Sequence, residues 1–406
     1  MPSDRPHKDK VQKPKNAIGA IFRKYGEQYI KIYKPPLDHI KFIRAVRICK
    51  SPGLGGKLIE CKDCNHLHPI YFGCGHARCP ICSAIKREQW MDKFSMRLLE
   101  VAYVHLVTTM PHYFNGLSRR YPKVMYDLLF RATQLTVWEL CENPDHMGAS
   151  PGMTSVLHTW GSDMKYHVHV HSLLTYGGMD EDGNWKMPKH NKRICRNSKL
   201  RSTFKRIFLR ELKVIYEEGL IKLREDYEGY IARIKDKRWS LFVTHPTMRT
   251  EVIEKYLARY INRIAISNNR VEYVKHLSKV NVIYNDYKQQ EEGQPAPKET
   301  KVMEPFSFIH QLLIHLPPPY YHRTRHYGLH ANMKSKKTKE LISKKARSHP
   351  RAIRTVMEIL THLMHLEPFV CQECGSLEYK EHLMRPDAQW IFEYITLPKI
   401  RSPVPA

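Results

Sequence analysis

The chemistry with most promise stands in the run His167-Val168-His169-Val170-His171. Side chains of an extended strand alternate in direction, so the three imidazoles project from one face and the two valines from the other. Such a row of nitrogens can grip a metal ion. An earlier β-run, Met153 to Trp160, is joined to this one by Gly161-Ser-Asp-Met-Lys, which reads as a hairpin. Antiparallel pairing across that turn brings His158 near His169, and Asp163 at the turn is a further ligand candidate. A second constellation is Glu254-Lys255-Tyr256-Leu-Ala-Arg259-Tyr260-Ile-Asn262-Arg263. Its two tyrosines, four residues apart, share one helix face with cations close by. A phenol with a pKa of about 10 is a weak nucleophile until positive charge stabilises its phenolate. Tyrosine attack on a phosphate held by a metal acting as Lewis acid would be covalent phosphoryl transfer.

The third constellation is sulfur. Six of the ten cysteines, Cys49, Cys61, Cys64, Cys74, Cys79 and Cys82, fall within 34 residues. Cys61-Lys-Asp-Cys64 and Cys79-Pro-Ile-Cys82 have the spacing of a four-thiolate zinc site, which predicts one zinc shared by these two turns. Cys49, Cys74 and His76 are the candidates for a second ion. The C-terminal Cys371-Gln-Glu-Cys374 turn supplies half a site, with His365 or His382 available to complete it.

Charge and length set the frame for these groups. The chain has 406 residues and a formal net charge of +27. An excess of that size favours an extended polyanion, because Lys and Arg displace the counterions condensed on phosphates. No apolar run approaches the ~18 residues of a membrane span, and the polar N-terminus lacks a secretory core. A cytoplasmic, nucleoid-associated bacterial protein is therefore expected. Hydrophobic periodicity predicts a helix after Cys82 carrying Trp90, Phe94, Leu98 and Leu99, a strand from Val101, and a helix over 122–141. Basic helical patterning follows over 198–225, then a helix over about 249–264 and β-runs at 271–275 and 280–287. Strands and helices alternate without a regular βαβ repeat, so the class is α+β with a mainly antiparallel sheet flanked by helices. The expected division is a basic arm and leading helix over 1–40, a zinc-binding module over 41–98, and a catalytic domain over 99–335 with a linker or excursion at 289–301. A basic helical region over 336–406 completes it.

Four blocks in order resemble the rolling-circle transposases of the IS91 insertion-sequence family. They are the cysteine module, His169-Val170-His171, the helix Tyr256-Leu-Ala-Arg-Tyr260 followed by Arg263-Ile-Ala-Ile-Ser-Asn, and Arg325-His326-Tyr327-Gly328-Leu329. The resemblance runs over roughly residues 40 to 335. It implies an N-terminal zinc-binding domain and a catalytic domain of the HUH class, named for two histidines flanking a hydrophobic residue. It makes His169 and His171 the motif ligands and Tyr256 and Tyr260 the nucleophiles. It also implies Mg²⁺ or Mn²⁺ as cofactor, and cleavage of single-stranded DNA through a 5′-phosphotyrosine. The third metal ligand stays open, with His158 first and Asp163 and His167 behind it. The family carries a histidine directly before its second CxxC pair; here that position is Arg78, and His76 is the nearest histidine.

Lys255, Arg259 and Arg263, with Arg323 and Arg325 in the aromatic block 315–330, are the expected DNA contacts, and the tract from Lys334 to Arg354 is read as a solvated basic surface. Two other readings share some of these features. A plasmid replication initiator or relaxase would use the same histidines and tyrosines. A non-enzymatic zinc-dependent nucleic-acid regulator would account for charge and thiolates but not for the histidine strand.

Overall fold

The computed structural model describes residues 16–95, 98–190, 193–237, 239–248, 253, 265–287, 289–291, 294–331, 354–355, 358–359, 370–371 and 373–390. Two compact units gather residues from separate stretches, one from 1–82, 266–310 and 371–406, the other from 83–265 and 311–370. Neither unit is a single contiguous stretch of the chain.

In the first unit, helix α1 (Ala17–Tyr33) starts where the Asn16 side chain accepts from the Gly19 amide at 3.0 Å, and stops at Lys34, whose φ is 43°. Pro35 and Pro36 then hold the chain extended into α2 (Leu37–Ile48). Ile18, Ile21 and Phe22 of α1 and Phe42, Ile43 and Val46 of α2 are all fully buried. Next comes a hairpin of β1 (Gly56–Cys61) and β2 (Leu67–Tyr71).

The second unit is built on a sheet that is antiparallel throughout. After α3 (Ser83–Ser95) come β3 (Tyr103–Thr109), α4 (Asn115–Arg120) and α5 (Pro122–Cys141), the last with proline at its first turn, where no amide partner is lost. β4 (Ser150–Trp160) and β5 (Tyr166–Met179) form the long central hairpin, and β6 (Trp185–Lys186) pairs with the end of β5. Helix α6 (Asn197–Glu217), the short α7 (Tyr227–Ala232) and β7 (Leu241–Val243) follow. Lying back in the first unit, β8 (Val271–Val274), β9 (Lys279–Asn285) and β10 (Lys298–Met303) make a three-stranded sheet, so part of the expected 289–301 linker is a paired strand. Helix α8 (Pro305–Leu313) and β11 (Thr324–Gly328) lead to β12 (Tyr379–Met384), which the sequence reading did not foresee as a strand.

The strand order in the second unit is β11-β4-β5-β3-β7. One face packs on α5 and α6, where Val168 and Val170 meet Leu128, Leu129, Phe204 and Phe208. On the other face, Tyr103, Val156 and Leu173 join Met91 and Phe94 of α3, Leu329 and Ile253. On α5, Leu135 and Trp138 are half-buried, while Thr133, Thr136, Val137 and Leu140 take the inner positions.

Arg354, expected on a solvated surface, instead clamps Asp92 at 3.0 Å and Glu88 at 2.7 Å, and Asp92 is fully buried. Removing the cation takes a close ionic partner from two buried carboxylates, a change that costs about 3 kcal/mol. Arg354→Ala should lower unfolding stability by that order in urea titration; a loss below ~0.5 kcal/mol would restore the solvated reading.

Candidate metal and nucleic-acid site

The β4–β5 register pairs His158 with His169 directly and Val156 with His171, so His158, His169 and His171 converge on one face. Their ligand atoms lie within 4.8 Å of one another and all three residues are buried. His169 Nδ1 lies 2.8 Å from the His167 carbonyl oxygen and donates to it, which leaves the Nε2 lone pair directed inward. His171 Nε2 is 3.0 Å from His169 Nε2. His158 is stacked on Trp160, with ring centroids 4.5 Å apart, which fixes its plane.

The alternatives for the third ligand sit elsewhere. Asp163 accepts from the Lys165 amide at 3.2 Å and pairs with its ammonium at 2.8 Å, both within the turn. His167 lies beside His112, with ring centroids 5.3 Å apart, and is not in the converging group.

Sequence reasoning missed His105. It stands on β3, stacked on His171 at 5.2 Å and 12°, with its Nε2 3.0 Å from His171 Nδ1. The signal was present in the alternation of β3, where Tyr103 and His105 point to the imidazole face and Val104 and Leu106 to the helices.

Tyr256, Tyr260, Lys255, Arg259 and Arg263 lie outside the described residues. Ile253, three residues before Tyr256, is helical, buried and part of the cluster on the imidazole face. Arg325, expected on DNA, is committed within the unit: its guanidinium pairs with Asp127, lies 3.2 Å from the Tyr321 hydroxyl and covers the Phe130 ring at 4.3 Å. Phe130 belongs to the helix-covered side, so Arg325 faces away from the imidazoles. Arg323 is half-buried at the entry to β11, its carbonyl accepting from the Leu157 amide at 2.8 Å.

The cysteines group differently from the expected pairing. Cys49, Cys74, Cys79 and Cys82 form one cluster, and Cys61, Cys64, Cys371 and Cys374 another. The reason is the β1–β2 hairpin. Cys49 and Cys74 flank its open end, where the Lys50 amide donates to Phe72, while Cys61 and Cys64 form its tip. Five paired positions at about 3.4 Å each separate the two ends by roughly 17 Å, too far for Cys61 and Cys64 to share an ion with Cys79 and Cys82. His76 is not in either group; its ring packs edge-on against Phe42 and accepts from the Arg78 amide at 3.2 Å.

Residues 152–338 match the family model described as "Putative transposase", and residues 21–110 the one described as "Transposase zinc-binding domain". The chain is 29% identical over 325 residues to "Putative transposase y4qJ" of Sinorhizobium fredii, covering 78% of this chain and 80% of that one. It is 24% identical over 346 residues to the transposase for insertion sequence element IS801 of Pseudomonas savastanoi pv. phaseolicola, covering 83% and 82%. No solved structure matches. Both matched models are of transposases, one over the N-terminal cysteines and one over the histidine cluster and β11, and the class is a transposase. The chain belongs to the IS91 family. No helix among the described residues is long and apolar enough to cross a membrane.

Burial holds His105 down to about 2, His169 and His330 to about 3, His315 to about 4, and His171 well below its ordinary value. In the unfolded chain each titrates near 6.5, so between about pH 6.5 and 3 the unfolded state binds more protons. Stability therefore rises with pH through that window and is lost as pH falls, at up to about 1.4 kcal/mol per unit for each histidine. The urea midpoint of the metal-free protein should fall steeply between pH 7 and pH 5, less so in His330→Asn. A flat midpoint would contradict neutral burial of these rings.

Proposed function

We propose that this transposase cuts and rejoins single-stranded DNA at the ends of its element through Tyr256 and Tyr260, with a divalent ion on His158, His169 and His171. The observation that carries the reading is the convergence of three buried imidazoles on one sheet face. His158, His169 and His171 would hold the ion, their ligand atoms lying within 4.8 Å of one another. Among Mg²⁺ and Mn²⁺, an imidazole donor set favours Mn²⁺. When bound, the ion polarises the scissile phosphate and orients it for in-line attack.

The chain's own groups supply the rest. A tyrosine oxygen attacks phosphorus, the bond to the 3′ oxygen breaks, and that oxygen leaves with a proton as a free 3′-hydroxyl. The 5′-phosphotyrosine keeps the bond energy for a later attack in reverse. Lys255, Arg259 and Arg263 lie close in sequence to the tyrosines and would favour the phenolate and contact phosphates. Ile253, three residues before Tyr256 in the sequence, belongs to the cluster on the imidazole face. His105 acts through His171: accepting from His171 Nδ1 leaves the Nε2 lone pair of His171 free for the ion. In the zinc-binding domain, Cys49, Cys74, Cys79 and Cys82 hold the structural zinc.

The test is a labelled single-stranded oligonucleotide carrying the element's own terminal sequence, incubated with Mg²⁺ or Mn²⁺. A denaturant-resistant protein–DNA adduct should form, at lower concentration of Mn²⁺ than of Mg²⁺. It should vanish in the Tyr256→Phe, Tyr260→Phe double variant, and an unchanged adduct would overturn the reading. His169→Ala should lose cleavage while keeping DNA binding, which rests on phosphate contacts. His105→Phe should weaken Mn²⁺ binding by roughly 10- to 100-fold, as loss of an orienting partner does; unchanged affinity would remove His105 from the site.

A further inference from the structure

The matched zinc-binding region, 21–110, contains six cysteines, and four of them close one cluster. That region offers Cys61 and Cys64 no second thiol pair. We propose that Cys61 and Cys64 bind a second zinc together with Cys371 and Cys374, so that the far end of the chain completes a two-knuckle zinc ribbon.

Sulfur geometry is the first support. Cys61 Sγ is 3.5 Å from Cys374 Sγ, and Cys64 Sγ is 3.5 Å from Cys371 Sγ. A disulfide would need about 2.05 Å. Four sulfurs held at about 2.3 Å around a tetrahedral zinc lie roughly 3.8 Å apart, close to what is seen. Four thiolates select zinc over the hard ions suited to oxygen ligands.

The second support is that the two knuckles repeat one backbone design. The Asn65 amide donates to the Cys61 carbonyl at 3.0 Å, and the Gly375 amide to the Cys371 carbonyl at 2.9 Å. The Cys61 amide donates to the His66 carbonyl at 3.0 Å, and the Cys371 amide to that of Ser376 at 2.8 Å. The residue after each second cysteine has positive φ, 55° at Asn65 and 77° at Gly375. Such a turn aims both sulfurs of a CxxC pair at one point, and two facing turns make a tetrahedral set.

Pairing of strands holds the two knuckles in register. β12 runs antiparallel to β1 from Gly56 opposite Met384 to Cys61 opposite Tyr379, and the Lys62 amide continues the ladder to the Glu378 carbonyl at 3.0 Å. A methyl group at Gly55, whose φ is 66°, would meet the Met384 carbonyl oxygen at 2.4 Å, so the contact with β12 depends on glycine there. The second ion thereby stitches residues 371–384 into the sheet that begins at Gly56.

Metal analysis of the full-length protein should find two zincs per chain, and one in the Cys371→Ser, Cys374→Ser double variant. A single zinc in the wild type, or two in the variant, would overturn the proposal. If the variant does not fold, the wild type alone still decides the matter. Cys64 and Cys374 are exposed and would ordinarily alkylate quickly. In the zinc-loaded protein they should resist iodoacetamide until a chelator strips the ion. Rapid alkylation of both before chelation would contradict ligation. Loss of the first cluster's zinc would be read separately, through protection of Cys79 and Cys82.

Discussion

The second unit depends on one pairing, the antiparallel ladder between β4 and β5. Strand side chains alternate, so this ladder sorts histidine from valine with no further instruction: Val168 and Val170 enter the core over α5 and α6, and His169 and His171 turn to the opposite face. A slip of one residue would bury the imidazoles among phenylalanines and turn the valines outward. Core packing therefore enforces the register that brings the imidazoles together. His158 joins because the same ladder sets it opposite His169.

Around that ladder the second unit uses its polar groups economically. His167 contributes its carbonyl, which fixes the proton on His169 Nδ1, and Trp160 stacks on His158. His105 reaches His171 from the next strand. Each interaction limits the orientation of a ring that would otherwise turn, so the cluster is pre-shaped before an ion or DNA arrives. Burial pushes the His105, His169 and His171 imidazoles down, toward the neutral state in which nitrogen can be a ligand.

Much of this was legible in the sequence because it follows from short-range rules. The period of two in His167 to His171, the turn at Gly161 and the helix over 122–141 all came through, as did the His158–His169 pairing. What escaped required knowledge of long-range partners. The CxxC turns at Cys61 and Cys79 looked like a pair because they are near in sequence, but the β1–β2 hairpin carries them to opposite ends. Nothing local to Cys371 says that its strand will lie beside β1, 300 residues earlier in the numbering. His105 is hidden for a similar reason, since its role depends on which strand β3 pairs with. Arg325 and Arg354 looked like free charge until the fold supplied Asp127, Asp92 and Glu88.

Of the 67 Lys and Arg residues, Arg325 and Arg354 are thus paired with carboxylates inside the second unit. Electron spin-echo spectroscopy of the Mn²⁺-loaded protein tests whether the three imidazoles on one sheet face hold the proposed divalent ion. Couplings from directly coordinated imidazole nitrogen should appear, weaken in His158→Ala and disappear when His169 and His171 are also replaced. A wild-type spectrum free of nitrogen coupling, with Mn²⁺ bound, would contradict that ligation.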